Sequence, residues 1–230
     1  MGPRLSQCFI IGGLLLLTCH IFCAAGFTGL LEAPASGDLV LAADGGLRHT
    51  EALGLTPHGI LGDFDSLGYI PKGSTVFPVK KDDTDAMLAV RMGYERGFRR
   101  FLLYGAMDGP RLDHTVANFQ TLAWLASRGA QGYLVGETYL AAVLPPGKVR
   151  FPKEAEGILS LFCLGRPVEG LTIRGLLYPL EGHTLTPDFP LCVSNHFQAE
   201  PSEISWIQGL PLILWNRQNG LPSYTMKTGI

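Results

Sequence analysis

The chain has 230 residues, 47% of them hydrophobic and 17% charged, with a formal net charge of −2. Such a composition supports one large domain or two small ones with a sizeable core and excludes a disordered chain; without a basic excess, nucleic acid is not an expected partner. The 29 glycines and 16 prolines favour many short elements joined by tight turns, with substantial β-structure.

The amino terminus reads in two ways. Arg4 followed by CFIIGGLLLLTCHIFCAA (residues 8–25) has the charge, apolar run and small residues of a signal peptide. Residues 8–11 before Gly12 and Gly13 also read as the buried first strand of an α/β sheet and the turn into its first helix. The second reading is the expectation, and with it a cytoplasmic protein without a membrane span, since early glycines and His20 suit a spanning helix poorly. Cys8, Cys19, Cys23, Cys163 and Cys192 form no CxxC pair and no zinc-like spacing, and read as core thiols.

Further along, residues 38–43 (DLVLAA) and 58–61 are short apolar runs that end at Asp44-Gly45-Gly46 and at Gly62-Asp63. Both predict buried parallel strands, as do residues 101–104 before Gly105 and 133–135 before Gly136. Helical spacing appears between them. Met87 and Val90 share a face of a helix over 84–93, capped by Asp82 or Asp83. Val116, Phe119, Leu122, Ala123 and Ala126 recur at helical spacing over 114–127, with Asp113 as N-cap and Gly129 past the end. Strands alternating with helices imply a mainly parallel, Rossmann-like sheet covered on both faces. Beyond Pro145 and Pro146 only short strand-like runs follow, at 158–164, 171–174, 191–197, 203–207 and 210–215. The predicted fold class is therefore α/β, with an α/β domain over residues 1–146 and a smaller all-β sandwich domain over 147–230.

The acids are placed tellingly. Asp44 follows one predicted strand, Asp63 and Asp65 the next, and Asp82 and Asp85 open a helix. In a doubly wound sheet, loops at the carboxyl ends of the strands meet in one crevice, where five carboxylates repel unless a cation neutralises them. All-oxygen donors suit Mg²⁺, which also recruits phosphate oxygens. Taken singly, each motif also reads as an ordinary turn or helix cap. The segment 105–118 (GAMDGPRLDHTVAN) adds a glycine-containing loop whose amides could approach phosphates, and Arg111 offers a planar fork for their oxygens.

Together, Asp44-Gly-Gly46, Gly62-Asp-Phe-Asp-Ser66, Lys81-Asp-Asp-Thr-Asp85, Arg111-Leu-Asp-His-Thr115 with Asn118, Tyr178-Pro-Leu180 with His183-Thr184, and Val193-Ser-Asn195 resemble the thiamine pyrophosphokinases in the family's order. The resemblance implies a nucleotide-binding α/β domain followed by a β-sandwich, and a homodimer with thiamine held where the two subunits meet. It implies metal and catalytic roles for Asp44, Asp63, Asp65, Asp82 and Asp85, with Arg111 beside them. ATP contacts fall on Asp44, Gly45, Gly105, Arg111, Asp113 and His114, and thiamine contacts on Ser194 and Asn195. Departures are visible: the glycine loop of the family reads GxxGGR, whereas this loop carries Asp108 and Pro110 and is one residue longer, and His196 stands where glutamate is frequent. The reaction implied is Mg²⁺-dependent transfer of pyrophosphate from ATP to the thiamine hydroxyl, with AMP leaving. Trp206 or Trp215 could offer a ring face to the thiazolium, or serve as core aromatics. Alternatives are a non-catalytic sensor of the same ligands, or another metal-dependent phosphotransferase.

Overall fold

The computed structural model describes residues 10–11, 14–15, 17–64, 67–76 and 83–227. At the amino terminus, β1 (Ile10–Ile11) and β2 (Leu14–Leu15) pair with each other as a small antiparallel ribbon. The first strand of the main sheet is instead β3 (Thr18–Phe22), which corrects the placement expected at residues 8–11, of which 8 and 9 lie outside the described residues. All five positions of β3 are buried, and a strand buried on both faces shows no alternation to locate it within a long apolar run.

The chain continues with β4 (Leu39–Ala43), a 3-10 turn at Asp44–Gly46, α1 (Leu47–Ala52), β5 (Gly59–Gly62), β6 (Thr75–Val76), α2 (Asp85–Glu95), β7 (Arg100–Tyr104), α3 (Leu112–Ala126) and β8 (Gln131–Val135). There follow β9 (Tyr139–Val143), β10 (Gly147–Phe151), β11 (Ile158–Cys163), β12 (Val168–Arg174), β13 (Leu180–Leu185), β14 (Asn195–His196), β15 (Ser202–Trp206), β16 (Pro211–Asn216) and β17 (Ser223–Met226). The result is a mixed α/β fold with two principal sheets, built mostly of strands.

The larger sheet has the order β14-β11-β16-β9-β8-β7-β3-β4-β5-β6. From β8 to β6 all pairings are parallel, and β9, β16, β11 and β14 extend the sheet antiparallel. Strands from both sides of the expected 146/147 boundary thus hydrogen-bond into one sheet. The smaller sheet, β13-β12-β15-β10-β17, is antiparallel throughout. Ala89, Val90, Leu122 and Leu125 pack α2 and α3 onto one face of the large sheet, against Ile21, Leu41, Phe101 and Leu103. On the other face Phe22, Leu102, Tyr104 and Trp215 meet Phe151, Ile173, Ile204 and Trp206 of the small sheet. Trp206 and Trp215 are 2% and 1% exposed, so both serve the core and neither presents a ring to a ligand.

Helix starts differ from expectation in detail. Thr84, not Asp82 or Asp83, caps α2, its hydroxyl accepting from the Met87 amide at 3.2 Å, while Asp83 pairs with Arg91. Arg111 occupies the N-cap position of α3 and Asp113 lies in its first turn, because the Asp113 carboxylate is engaged by the Arg111 guanidinium.

Candidate active site

Strands β3, β4, β5 and β6 step outward in one direction, and the chain then returns to lay β7 on the opposite side of β3. Strand order reverses at β3 and β7, and in open parallel sheets ligands bind in the crevice outside the carboxyl ends of the strands at such a point. A cavity of about 630 Å³ lies there. Its wall is formed by Cys23–Ala25 after β3, Asp44 after β4, Asp63 after β5, the 105–111 loop after β7, Thr84 and Asp85 at the start of α2, and His114, Thr115 and Asn118 of α3.

Local backbone geometry sets the acids in place. Gly46 is packed so tightly against the end of β3 that a Cβ would sit 1.9 Å from the Phe22 carbonyl oxygen, so the Asp44–Gly46 turn requires glycine there. Asp44 itself holds φ +48, a conformation that costs energy for a residue with a Cβ and is typical of functional sites. On the other wall Gly105 has φ +60, and a Cβ would sit 2.4 Å from the Cys23 carbonyl oxygen. The loop that follows is held by Asn118, whose buried amide donates to the Ala106 carbonyl at 2.7 Å.

Three carboxylates, Asp44, Asp63 and Asp85, thus share the cavity with Arg111 and His114. Two of them act on Cys23, whose thiol is pushed up to about 12, first by burial and then by the charges of Asp85 and Asp44. One Asp44 oxygen, Oδ1, is buried without a hydrogen-bond partner among the described residues. A buried, unsatisfied carboxylate oxygen amid further acids fits a hard cation. No three His, Cys, Asp or Glu among the described residues are gathered closely enough to hold a metal, and Asp65 and Asp82 lie outside those residues. At the rim, Arg111 Nε and Nη2 donate to the two Asp113 oxygens at 2.9 and 2.6 Å. That contact holds the exposed Asp113 carboxyl down at about 2. The amino-terminal ends of α2 and α3 both open on the cavity, directing their positive dipole ends toward any anion within.

The expected residues divide accordingly. Asp44, Asp63, Asp85, Gly105, Arg111 and His114 line one cavity. Gly45 is buried within its turn, and Asp113 sits outside, paired with Arg111. Ser194 and Asn195 are elsewhere, at edge strand β14, with β11, β16, β9, β8 and β7 between them and β3. There Asn195 clamps Tyr178, its side chain accepting from the Tyr178 amide at 2.9 Å and donating to the Tyr178 carbonyl at 2.8 Å. Cys23–Ala25 stood in no motif, whereas Thr84 and Thr115 lay within two of the motifs without being assigned a role. Thr84 stands between two aspartates at a helix start, and Thr115 follows His114 in the first turns of α3.

Comparison with known proteins bears on the same regions. A family model described as "Thiamin pyrophosphokinase, catalytic domain" matches residues 32–134, and one described as "Thiamin pyrophosphokinase, vitamin B1 binding domain" matches residues 148–210. Together they span well over half of the chain. The chain belongs to the thiamin pyrophosphokinase family. A thiamine pyrophosphokinase of Bacillus subtilis is 26% identical over 170 residues, covering 70% of this chain and 79% of that protein. In fold, the chain resembles the crystal structure of a Bacillus subtilis thiamine pyrophosphokinase, with TM-score 0.75, 24% identity and coverage of 86% of this chain and 98% of that one. A Candida albicans thiamin pyrophosphokinase resembles it at TM-score 0.68 and 15% identity, covering 86% and 89%. Both models of this pyrophosphokinase family fall on the regions that carry the motifs, the first on the cavity and the second on most of the small sheet and β14.

Proposed function

We propose that this chain is a working thiamine pyrophosphokinase, transferring the terminal pyrophosphate of ATP to thiamine. The observation that carries the reading is the single cavity at the strand ends, where acids from three separate segments face the 105–111 loop and Arg111. In the reaction the thiamine hydroxyl oxygen forms a bond to the β-phosphorus, the bond from that phosphorus to the α,β-bridging oxygen breaks, and AMP leaves. Such displacements are accelerated mainly by positioning and charge neutralisation.

Asp44, Asp63, Asp65, Asp82 and Asp85 would hold Mg²⁺, which when bound neutralises and orients the polyphosphate. Asp63, Asp65 and Asp85 contribute directly, with Asp44 and Asp82 in or just behind the ligand set. Gly45 and Gly105 allow close backbone approach to the nucleotide, and His114 lines its berth. Arg111 stabilises phosphate charge, presented at the rim by its bidentate contact with Asp113. A carboxylate, Asp63 or Asp85, takes the hydroxyl proton as the new bond forms.

The thiazolium is a permanent cation, so an acidic cavity attracts it. Ser194 and Asn195 contact thiamine in a homodimer, where the distant β14 edge of one copy is brought to the cavity of the other. Leu177, Tyr178, Phe189, Leu191 and Val193 are all exposed around that edge, an apolar surface suited to burial against a second copy. In this reading residues 1–146 form the Rossmann-like nucleotide-binding unit and residues 147–230 the all-β thiamine-binding unit, the two sharing one continuous sheet. The enzyme works in the cytoplasm, where ATP is available. No helix among the described residues is long and apolar enough to cross a membrane.

Incubating the protein with thiamine, ATP and Mg²⁺ tests the reading. Thiamine diphosphate and AMP are the expected products. ADP in place of AMP would instead assign a simple phosphotransferase.

A further inference from the structure

The 105–111 loop is fastened at its far end by a contact that neither the motifs nor the cavity lining explains. Asp108 holds φ +61, and this twist turns its carboxylate away from the cavity, onto the turn between β8 and β9. Its Oδ2 accepts from the Glu137 amide at 2.6 Å, a short charge-assisted hydrogen bond. Gly136 is required beside it, since a Cβ there would lie 2.5 Å from that same oxygen.

The 136–138 turn is in turn held by the carboxyl-terminal half of the chain. Arg217, which follows β16, donates through Nη1 to the Gly136 carbonyl at 2.9 Å and to the Thr28 hydroxyl, and through Nη2 to the Gly29 carbonyl at 2.7 Å. Its own amide donates to the Thr138 carbonyl at 2.9 Å. The 24–29 segment returns to the loop, with the Ala25 amide donating to the Gly105 carbonyl at 2.9 Å and Ala25 packed against Gly109. A closed ring results: loop, turn, Arg217, 24–29 segment, loop.

We infer that Asp108 is a positioning residue for the nucleotide, locking the 105–111 loop to the β8–β9 turn that Arg217 braces from the carboxyl-terminal half. The inference rests on the reading of the cavity as the ATP site. A loop fixed in advance spends no binding energy on being ordered, so losing the tether should weaken nucleotide binding more than the chemical step.

Two variants alter the tether without adding backbone strain. Asp108→Gly adopts φ +61 freely but has no acceptor, whereas Asp108→Asn keeps an acceptor oxygen and tolerates the same backbone. Hydrogen exchange of the 105–111 amides without substrate, and kcat and KM for ATP, are measured on both. For Asp108→Gly we expect exchange about tenfold faster and KM for ATP about tenfold higher with kcat little changed, the scale of one charge-assisted hydrogen bond. Asp108→Asn, which keeps a neutral hydrogen bond about half as strong, should fall between wild type and Asp108→Gly in both. Unchanged exchange in Asp108→Gly, accelerated exchange with unchanged KM, or Asp108→Asn behaving like Asp108→Gly would each overturn the inference. Exchange needs no substrate, so a wild-type protein that forms no thiamine diphosphate would defeat the proposed function and leave the tether to be decided by exchange alone.

Discussion

Replacing Gly46 with alanine should disable the site without touching any charged group. The added Cβ would sit 1.9 Å from the Phe22 carbonyl oxygen and 2.3 Å from its carbon, about 1.5 Å short of an ordinary 3.4 Å contact. Phe22 cannot yield, because it is fully buried at the end of β3 and paired on both sides, with Ala42 and with Tyr104. The displacement must therefore pass into the Asp44–Gly46 turn, which carries the Asp44 carboxylate two residues away. Moving a positioned group by an ångström costs on the order of 100-fold in rate, so kcat/KM for AMP formation should fall by about that factor. The same crowding should lower stability by about 1–3 kcal/mol, measurable by urea denaturation. A folded Gly46→Ala protein with kcat/KM within about threefold of wild type would show that the placement of Asp44 does not govern the chemistry.

Asp85→Asn keeps the shape of the α2 start but removes one negative charge from the cavity; we expect an unchanged melting temperature and a loss of AMP formation of about 100-fold, while equal turnover would take Asp85 out of the site. Arg111→Lys loses the planar fork, and kcat/KM should drop about tenfold, whereas an unchanged value would mark Arg111 as a surface residue. In wild type the depressed Asp113 carboxyl titrates at about 2, so its pairing with Arg111 favours the fold above the ordinary value of 3.8 and is lost as pH falls through about 2. An NMR titration should therefore place Asp113 near 2 in wild type and near its ordinary value in Arg111→Ala; no difference would refute the pairing. Glu32→Ala removes the carboxylate to whose two oxygens the buried Arg100 guanidinium donates at 2.7 Å, leaving the Thr18 hydroxyl among its acceptors, and should cost about 2 kcal/mol, toned down because Glu32 is partly exposed. Denaturation midpoints within error of wild type would contradict that.

The parallel half of the fold was legible because β4, and β7 beyond Arg100, are unbroken apolar runs stopped by Asp44 or Gly105. Other elements left weaker traces. β13 (LEGHTL) is exposed at most positions and shows no apolar face, and α1 spans only six residues, too few for a helical period to emerge. β10 did alternate, with Lys148 and Arg150 outward between Gly147, Val149 and Phe151, but it follows two prolines that read as a linker. What local pattern cannot give is the partner of a strand. β9 pairs with β8 beside it in sequence and equally with distant β16, and that second pairing carries the sheet across the expected boundary.

The same distinction explains the site. Asp44, Asp63, Asp85, Gly105 and Arg111 could be found because each sits at a strand or helix end, where local sequence announces both the residue and its place. Asp108 offered only its departure from a familiar loop pattern, since its partner, the Glu137 amide, lies 29 positions away and belongs to a turn held by Arg217 from the other half of the chain. Groups that could meet substrate are thus local and legible, whereas the tether that fixes the loop beside them is a long-range hydrogen bond to backbone, which imposes no residue type on the donor and leaves no motif. A substitution at 136 or 217 would look harmless in sequence yet act on the loop beside the cavity, and that is where variants of this chain with intact acids and weakened nucleotide binding should be sought.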